Sequence, residues 1–160
     1  MSLSIRSARP GEAPLVLQFV RELAEYEKLT HTVVATEAIL NDVLFADQPR
    51  VFCEFAERDG EVAGFAVWLL DYSTFTGRHG IYLEDLFVRP AHRGKGIGKA
   101  LMIRLARACV ARGATNFLWS VLNWNKPSID FYKSLGAAPL DAWTIYRVSD
   151  DALARLAERT

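Results

Sequence analysis

The chain has 160 residues, which is enough for one domain with a full hydrophobic core and too little for two ordinary ones. Its composition, 51% apolar and 24% charged, excludes a disordered tail, a collagen-like fibre and a disulfide scaffold. Nineteen basic and nineteen acidic side chains give a net charge of zero, so we expect no general attraction to nucleic acid or to an anionic membrane.

Targeting signals and metal-ligand spacings are not evident. The longest apolar stretch, residues 62–70, is about half the length of a membrane span, and the first residues lack the apolar core of a signal peptide. Cys53 and Cys109 fall in a predicted strand and a predicted helix, which fits reduced, buried thiols. The histidines show no ligand spacing. We therefore predict a cytoplasmic protein without a metal site.

The N-terminal third is predicted to contain one strand and two helices. Residues 3–9 alternate apolar and polar side chains before Pro10-Gly11, as in a short strand that enters a turn. Thr36 can cap a short helix that runs through about residue 45. Between them lies a longer helix, whose apolar stripe consists of Leu15, Phe19, Leu23 and Tyr26.

Three strands are predicted in the middle of the chain. Residues 51–58 and 61–70 are separated by Asp59-Gly60, which favours a tight antiparallel hairpin. A polar loop of ten residues, 71–80, is expected before the third strand, 81–88.

The C-terminal half alternates helices and strands. An amphipathic helix is predicted over residues 97–112, ended by Gly113, and the strand that follows favours a parallel crossover. The elements after this helix are a strand at 116–122, a helix from Pro127 to Gly136, a strand at 143–149, and a helix at 151–159 capped by Asp150. This order predicts a single α/β domain over residues 1–160, with a mixed sheet covered by helices.

A glycine-rich turn, Arg-Gly-Lys-Gly-Ile-Gly-Lys at residues 93–99, lies between a predicted strand and a predicted helix. Free backbone N–H groups and the helix dipole favour an anion there. An ATP-binding loop would need a glycine at position 93 and a hydroxyl at position 100, and a dinucleotide loop would need a glycine at position 99. Two interpretations of this turn therefore remain. It can bind a phosphate group of another kind of ligand, or it can be a tight turn surrounded by solvated charges.

Four segments together resemble the GNAT acetyltransferase superfamily, in particular its diamine (spermidine/spermine) and thialysine acetyltransferase branch. The segments, which span most of the chain, are Arg21-Glu22-Leu23-Ala24-x-Tyr26-Glu27, residues 82–88 (Tyr-Leu-Glu-Asp-Leu-Phe-Val), residues 93–99, and Asn125-x-Pro127-Ser128-x-x-Phe131-Tyr132-Lys133-x-x-Gly136-Ala137. The resemblance implies the GNAT fold, in which the fourth and fifth strands splay apart around acetyl-CoA, and it implies a homodimer.

The resemblance also implies which residues bind acetyl-CoA. The backbone at the end of the third central strand would pair with the pantetheine arm, and the glycine-rich turn would surround the pyrophosphate. The implied cofactor-binding residues are Leu86, Phe87, Val88, Arg93, Gly94, Lys95, Gly96, Ile97, Gly98, Lys99, Asn125, Lys126, Pro127 and Ser128.

Two acidic residues, Glu84 and Asp85, interrupt an apolar strand. Strand alternation is expected to put them on opposite faces, so that one can line the cleft. A buried glutamate has a raised pKa and can accept a proton near neutral pH, which makes Glu84 the candidate base, acting through water. The alternative is a pair of salt-bridged or edge carboxylates.

Tyr132 is the second candidate catalytic residue. It follows Asn125 by seven residues and Ser128 by four, so the three share one face of a helix that begins near Pro127. An aromatic residue in this position can equally be a packing residue. The resemblance implies that Tyr132 protonates the departing CoA thiolate.

Tyr26 and Glu27 match positions that contact the amine substrate in the family, although such a charged turn can also be a solvated face. The loop at 71–80 departs from the polyamine enzymes, because Ser73-Thr74-Phe75 stands where they carry Asp-Pro-Trp. A distal ammonium group would lose a carboxylate partner, which favours a shorter amine or a lysine-like amino acid.

The sequence therefore predicts direct acetyl transfer from acetyl-CoA to a primary amine of a small molecule. The alternatives are acetylation of a protein lysine or N-terminus, and a CoA-binding regulatory module without catalysis. The presence of both Glu84 and Tyr132 argues against the last, because a pure binder needs only the phosphate loop.

Overall fold

The structure is a computed structural model that describes residues 2–159. The chain divides into two compact units, Met1–Leu122 and Asn123–Thr160. Within the described residues, no helix is long and apolar enough to cross a membrane.

The first unit contains a five-stranded sheet, which is mixed, as the sequence predicted. Its strands lie side by side in chain order, the first three pairs are antiparallel, and the last pair is parallel. The strands are β1 (Leu3–Ser7), β2 (Val51–Arg58), β3 (Glu61–Ser73), β4 (Arg78–Val88) and β5 (Phe117–Trp119). The Asp59-Gly60 turn joins β2 to β3, and both of its residues have positive φ, at 53° and 87°.

The helices of the first unit are α1 (Ala13–Glu27), α2 (Glu37–Leu44) and α3 (Ile97–Ala111), with short 3₁₀ turns at Thr30–Thr32 and Pro90–His92. The predicted cap of α2 is confirmed, because the Thr36 hydroxyl accepts a hydrogen bond from the Ile39 N–H at 3.3 Å. Gly113 follows α3 with a φ of 62°, a left-handed conformation that costs glycine little.

Helices cover both faces of the sheet. On one face, Val16 and Phe19 of α1 pack on Phe55 and Phe65, and the ring centroids of Phe19 and Phe65 are 5.1 Å apart. The neighbouring residue Gly64 points the other way, because a Cβ built on it would lie 3.3 Å from the Ile97 side chain of α3. The sheet is therefore the middle of three layers.

The predicted loop at 71–80 is mostly strand. β3 continues to Ser73 and β4 begins at Arg78, and Tyr72 lies opposite His79 with ring centroids 5.1 Å apart. These residues are largely exposed, so the hairpin needs no alternation of apolar and polar side chains. Because that alternation is the sequence signal of a strand, its absence led to the prediction of a loop. Only residues 74–77 remain as a turn.

The second unit contains α4 (Lys126–Ser134) and α5 (Asp150–Ala157). The predicted strand at 143–149 is wrong, because no described residue of this unit forms a ladder partner for it. The cap assigned to Asp150 is also wrong. Ser149 is the N-cap of α5, and Asp150 is the first helical residue, with a φ of 54°.

Candidate functional site

The glycine-rich turn joins the 3₁₀ turn after β4 to the N-terminus of α3. Gly94 and Gly96 have φ values of 71° and 80°, and Gly96 is the N-cap of α3 without a side-chain capping bond. A Cβ on either glycine would meet nothing within 4 Å. The main chain requires glycine here for its backbone conformation, and it leaves open space beside the first N–H groups of the helix.

The charges and anchors of this turn also suit an anion. The first turn of α3 carries no acidic residue, and Lys99 lies within it. The turn is tied to its surroundings, because the Lys95 ammonium donates to the Ala91 carbonyl at 2.9 Å and Arg58 donates to the Lys95 carbonyl at 3.5 Å. Pre-positioned N–H groups at a helix N-terminus with basic neighbours favour the binding of an anion such as a phosphate.

The end of β4 separates from β5. The two strands pair at three positions only, from Ile81 opposite Phe117 to Leu83 opposite Trp119, and β4 then continues to Val88. The predicted splay of the fourth and fifth strands is thereby confirmed. The segment that the resemblance assigned to the pantetheine arm, residues 86–88, lies in this separated part of β4.

A β-bulge lies in β4 at the two acidic residues. Leu83 is opposite Trp68, whereas Asp85 is opposite the adjacent residue Val67. Trp68 and Val67 point to opposite faces of β3, so their partners Leu83 and Asp85 also face opposite ways, and Glu84 is the extra residue of the bulge between them. Strict strand alternation, on which the expected separation of Glu84 from Asp85 depended, is therefore interrupted at this bulge.

Asp85, not Glu84, is the more buried member of the pair. The Glu84 side chain is exposed, which contradicts the expectation of a buried glutamate. Burial, assisted by the charges of Glu84 and Glu27, raises the pKa of Asp85 to about 7. Burial also raises the pKa of Glu27, which ends α1 on the same side of the sheet. The partly buried carboxylate of Asp85 thus lies in the negative field of Glu84 and Glu27, an arrangement that favours a cation.

Tyr26 lies beside these carboxylates at the last turn of α1. Its ring centroid is 6.4 Å from that of Phe87, and the guanidinium of Arg93 lies 4.8 Å from the Tyr26 ring centroid. The structure therefore brings together four predicted site residues of the first unit, namely Tyr26, Glu27, Phe87 and Arg93.

The remaining predicted residues belong to the second unit. Asn125 is the N-cap of α4, and its side-chain oxygen accepts a hydrogen bond from the Ser128 N–H at 3.3 Å. Tyr132 is half-buried in the same helix, with its ring centroid 5.3 Å from that of Phe131. The helix begins where Pro127 predicted, and the catalytic assignment of Tyr132 stays a prediction.

Sequence reasoning left Asp85 out of the candidate site. The signal was present, since two adjacent carboxylates in an apolar strand are unusual. The exposure of each carboxylate depends on the bulge in β4, and the sequence does not reveal this bulge, because a one-residue irregularity in strand pairing has no local sequence signature here.

Comparison with known proteins gives the same family as these motifs. A model of the acetyltransferase (GNAT) family matches residues 16–137. The thialysine N-epsilon-acetyltransferase of Sus scrofa is 38% identical over 98% of both chains. An L-ornithine N5-acetyltransferase of Arabidopsis thaliana is 29% identical, over 93% of this chain and 85% of the relative.

A solved structure supports the fold over the whole chain. An integron cassette protein from the mobile metagenome of V. cholerae is 28% identical to this chain, and its structure superposes with a TM-score of 0.82 over 99% of both chains. The family model covers the glycine-rich turn, the bulged strand with its two carboxylates, and α4. The chain therefore belongs to the GNAT acetyltransferase family.

Proposed function

We propose that the chain acts as one domain over residues 1–160 and transfers an acetyl group from acetyl-CoA to a primary amine of a small molecule. The observation that carries the proposal is the group of three carboxylates, Glu27, Glu84 and Asp85, next to the end of β4. Relatives that are named for acetylation of thialysine and of ornithine support an amine acceptor of this size.

The residues of the glycine-rich turn fit acetyl-CoA. The open space over Gly94 and Gly96 would admit pyrophosphate oxygens close to the main chain, and the amides from Gly94 to Lys99 would bind them. The separated strand segment 86–88 would bind the pantetheine arm, with residues 125–128 as further ligands. Acetyl-CoA supplies an activated acetyl thioester, and the chain's own residues orient the amine and move protons.

The three carboxylates would bind the amine and remove its proton. An alkyl amine with a pKa near 10 is mostly protonated at neutral pH and cannot attack until it loses a proton. A base with a pKa near 7 is well matched to that task, and Asp85 has this value. We assign proton removal to the pair on the bulge, with Asp85 as its more buried member and Glu84 acting through water. Glu27 and Tyr26 would hold the rest of the acceptor.

Tyr132 would donate a proton to the departing thiolate of CoA. The assignment is supported by the resemblance of α4 to the family segment and by the Asn125 cap, which begins the helix at the expected residue. The amine nitrogen would attack the thioester carbon directly and the C–S bond to CoA would break, so no covalent enzyme intermediate would form, while a carboxylate accepts the proton of the amine and the phenol protonates the leaving thiolate.

A short or lysine-like amine is the proposed acceptor. The turn between β3 and β4, residues 74–77, carries no carboxylate, and its Phe75 is 98% exposed. A second ammonium group at the far end of a polyamine would therefore find no charged partner in this turn.

The protein is further proposed to be a cytoplasmic homodimer. Trp143, Ile145 and Tyr146 are 75, 82 and 90% exposed, which is unusual for large apolar side chains so close in sequence and supports a contact with a second copy. Cys53 and Cys109 are both buried and unbridged, which suits a reducing compartment. Sedimentation should give twice the chain mass, and a monomer at micromolar concentration would contradict the dimer.

The test is an acetylation assay with purified protein, acetyl-CoA and four amines: thialysine, L-ornithine, spermidine and tyramine. Release of free thiol with thialysine or ornithine, and a mass increase of one acetyl group on the amine, are expected. Asp85→Asn should lower kcat/KM by roughly 10²-fold or more. Glu25→Gln is the matched control, because this exposed carboxylate lies on α1 within two residues of Glu27.

The pH profile separates the two acidic residues. Removal of the charge of Glu84 should lower the pKa of Asp85, so Glu84→Gln should move the acidic limb of kcat/KM to lower pH, whereas Asp85→Asn should abolish that limb. If no amine releases thiol and the protein does not bind acetyl-CoA, the proposed function is wrong.

A further inference from the structure

Arg93 begins the glycine-rich turn, yet its side chain is directed toward α1. Its Nε donates a hydrogen bond to the Val88 carbonyl at 2.9 Å. Its guanidinium carbon lies 4.8 Å from the ring centroid of Tyr26 and 5.4 Å from that of Phe87. The guanidinium thus lies over two aromatic rings while its Nε donates to a carbonyl, and its rigid planar fork of donors favours keeping these contacts together.

These contacts connect the two ligand regions of the first unit. Arg93 is part of the turn assigned to the pyrophosphate, and Tyr26 lies one residue before Glu27 in the region assigned to the amine. Tyr26 also lies on Phe87, the residue before the carbonyl that Arg93 binds, with ring centroids 6.4 Å apart. One side chain thus contacts both the strand end beside the cofactor and the helix end beside the acceptor.

A second arginine, Arg89, also contacts α1, but through an ion pair with Glu22 in the middle of the helix. Arg89 donates two hydrogen bonds to Glu22, at 2.9 and 2.8 Å, and lies 4.3 Å from the ring centroid of Phe19. It precedes the glycine-rich turn and holds the middle of α1. The last turn of α1 lies beyond that contact and ends at Lys28, which has a left-handed φ of 61°.

We infer that Arg93 is a positioning residue that couples pyrophosphate binding at the glycine-rich turn to the order of Tyr26 and the last turn of α1, where the amine binds. The inference rests on the proposed function. An anion in the turn restricts residues 93–96, and the stacked guanidinium transmits that restriction to the ring of Tyr26. The last turn of a helix opens more readily than its middle, so it has order to gain. Cofactor binding thereby prepares the acceptor site.

Hydrogen exchange with CoA alone tests the coupling, because it requires no acceptor and no turnover. In the parent, saturating CoA should slow exchange of the amides of residues 23–27 by roughly three- to tenfold, the size expected for a cation–aromatic contact. Arg93→Lys keeps the positive charge at this position and removes the planar guanidinium that lies over Tyr26. In this variant, CoA should still slow amide exchange at the start of α3 and should no longer slow it at residues 23–27.

Three further variants distinguish the aromatic contact from a general loss of charge or stability. Tyr26→Leu should lose the protection of α1, and Tyr26→Phe, which retains the ring, should keep it. Lys95→Met removes a charge from the same turn, where Lys95 bonds to the Ala91 carbonyl. It should weaken CoA binding and still protect residues 23–27 at saturation. A structural role alone would loosen α1 equally with and without CoA.

Steady-state kinetics with thialysine gives a second readout. Arg93→Lys should raise the KM for thialysine roughly three- to tenfold and change kcat less than about twofold. If Arg93→Lys binds CoA and still protects residues 23–27, the coupling is wrong while the proposed function stands. If the parent binds no CoA, both are wrong. If Arg93→Lys does not fold, the contrast between Tyr26→Leu and Tyr26→Phe decides, and equal protection in the two contradicts the coupling.

Discussion

Arg89 and Glu22 join the end of β4 to the middle of α1 through two charge-assisted hydrogen bonds, at 2.9 and 2.8 Å. Both side chains are partly exposed, at 21 and 27%. Arg89 also donates to the Val62 carbonyl at 3.0 Å, so the pair holds together a helix, a strand end and the neighbouring strand. The end of β4, which precedes the glycine-rich turn, is therefore fixed to α1.

Glu22→Gln should lower the free energy of unfolding by about 1 kcal/mol at pH 7, the size expected for a bidentate pair near the surface. The Arg89 guanidinium holds the pKa of Glu22 below its usual value, so this stabilisation exists above that usual value and is lost as pH falls through the lowered one. Denaturant titrations at pH 7 and pH 3 measure the difference. Glu25→Gln, an exposed change on the same helix, should have little effect at either pH.

Asp85→Asn should stabilise the protein at neutral and alkaline pH. The folded-state pKa of Asp85 is raised, from 3.8 to about 7, so ionisation of the parent costs stability as pH rises through this range. The stability difference between variant and parent should be near zero at pH 3.5, grow up to about pH 7 and then level off, at roughly 1–4 kcal/mol. Denaturant titrations across this pH range measure it, and the exposed change Asp42→Asn should show no such rise. A flat difference would contradict the raised pKa.

Tyr132→Phe should lower turnover roughly 10²- to 10⁴-fold while the affinity for acetyl-CoA changes little, because it removes one hydroxyl and keeps the ring contact with Phe131. Tyr146→Phe removes the hydroxyl of a tyrosine that is 90% exposed and should retain activity. Turnover of Tyr132→Phe close to that of the parent across the pH range would make Tyr132 a packing residue.

Gly96→Val should reduce the affinity for acetyl-CoA at least about tenfold, because its side chain would fill the space beside the loop amides. The φ of 80° at this position adds backbone strain of roughly 1–3 kcal/mol, so a lower Tm is also expected. Gly60→Val is the matched control. Gly60 lies in the β2–β3 turn with a φ of 87°, and a Cβ built on it would meet nothing within 4 Å. It should lose stability and retain affinity, as calorimetry can show.

Ser73→Asp should shift the preference toward spermidine, mainly through a lower KM, because it supplies a partner for a distal ammonium group. A charge-assisted hydrogen bond corresponds to roughly 10- to 100-fold in discrimination. The measurement is kcat/KM for thialysine and for spermidine in parent and variant, with the exposed substitution Thr115→Asp as a control for net charge. A parent that already favours spermidine tenfold would show that this hairpin does not set selectivity.

Elements whose burial repeats with the helix or strand period could be predicted from the sequence. The apolar stripe of α3 and the Asp59-Gly60 dipeptide predicted nearly the observed ends of that helix and the observed position of that turn. In both cases the structure depends on side chains that are close together in the sequence. The glycine-rich turn was predictable for the same reason, since positive φ at two of its positions requires glycine.

Features that depend on long-range pairing could not be predicted. The bulge at Glu84 is set by how β4 registers on Val67 and Trp68, and this decides which carboxylate is buried. The exposed end of the β3–β4 hairpin is held by backbone pairing rather than by apolar burial, and residues 143–149 have apolar side chains without a described ladder partner.

The carboxylate of Asp85 also affects Cys53. Burial raises the pKa of this thiol, and the negative charges of Glu54 and Asp85 raise it further. Since only the thiolate reacts with peroxide or alkylating agents, Cys53 should stay inert at neutral pH. Burial and the neighbouring negative charges thus act in the same direction, and both keep this sulfur in the unreactive thiol form.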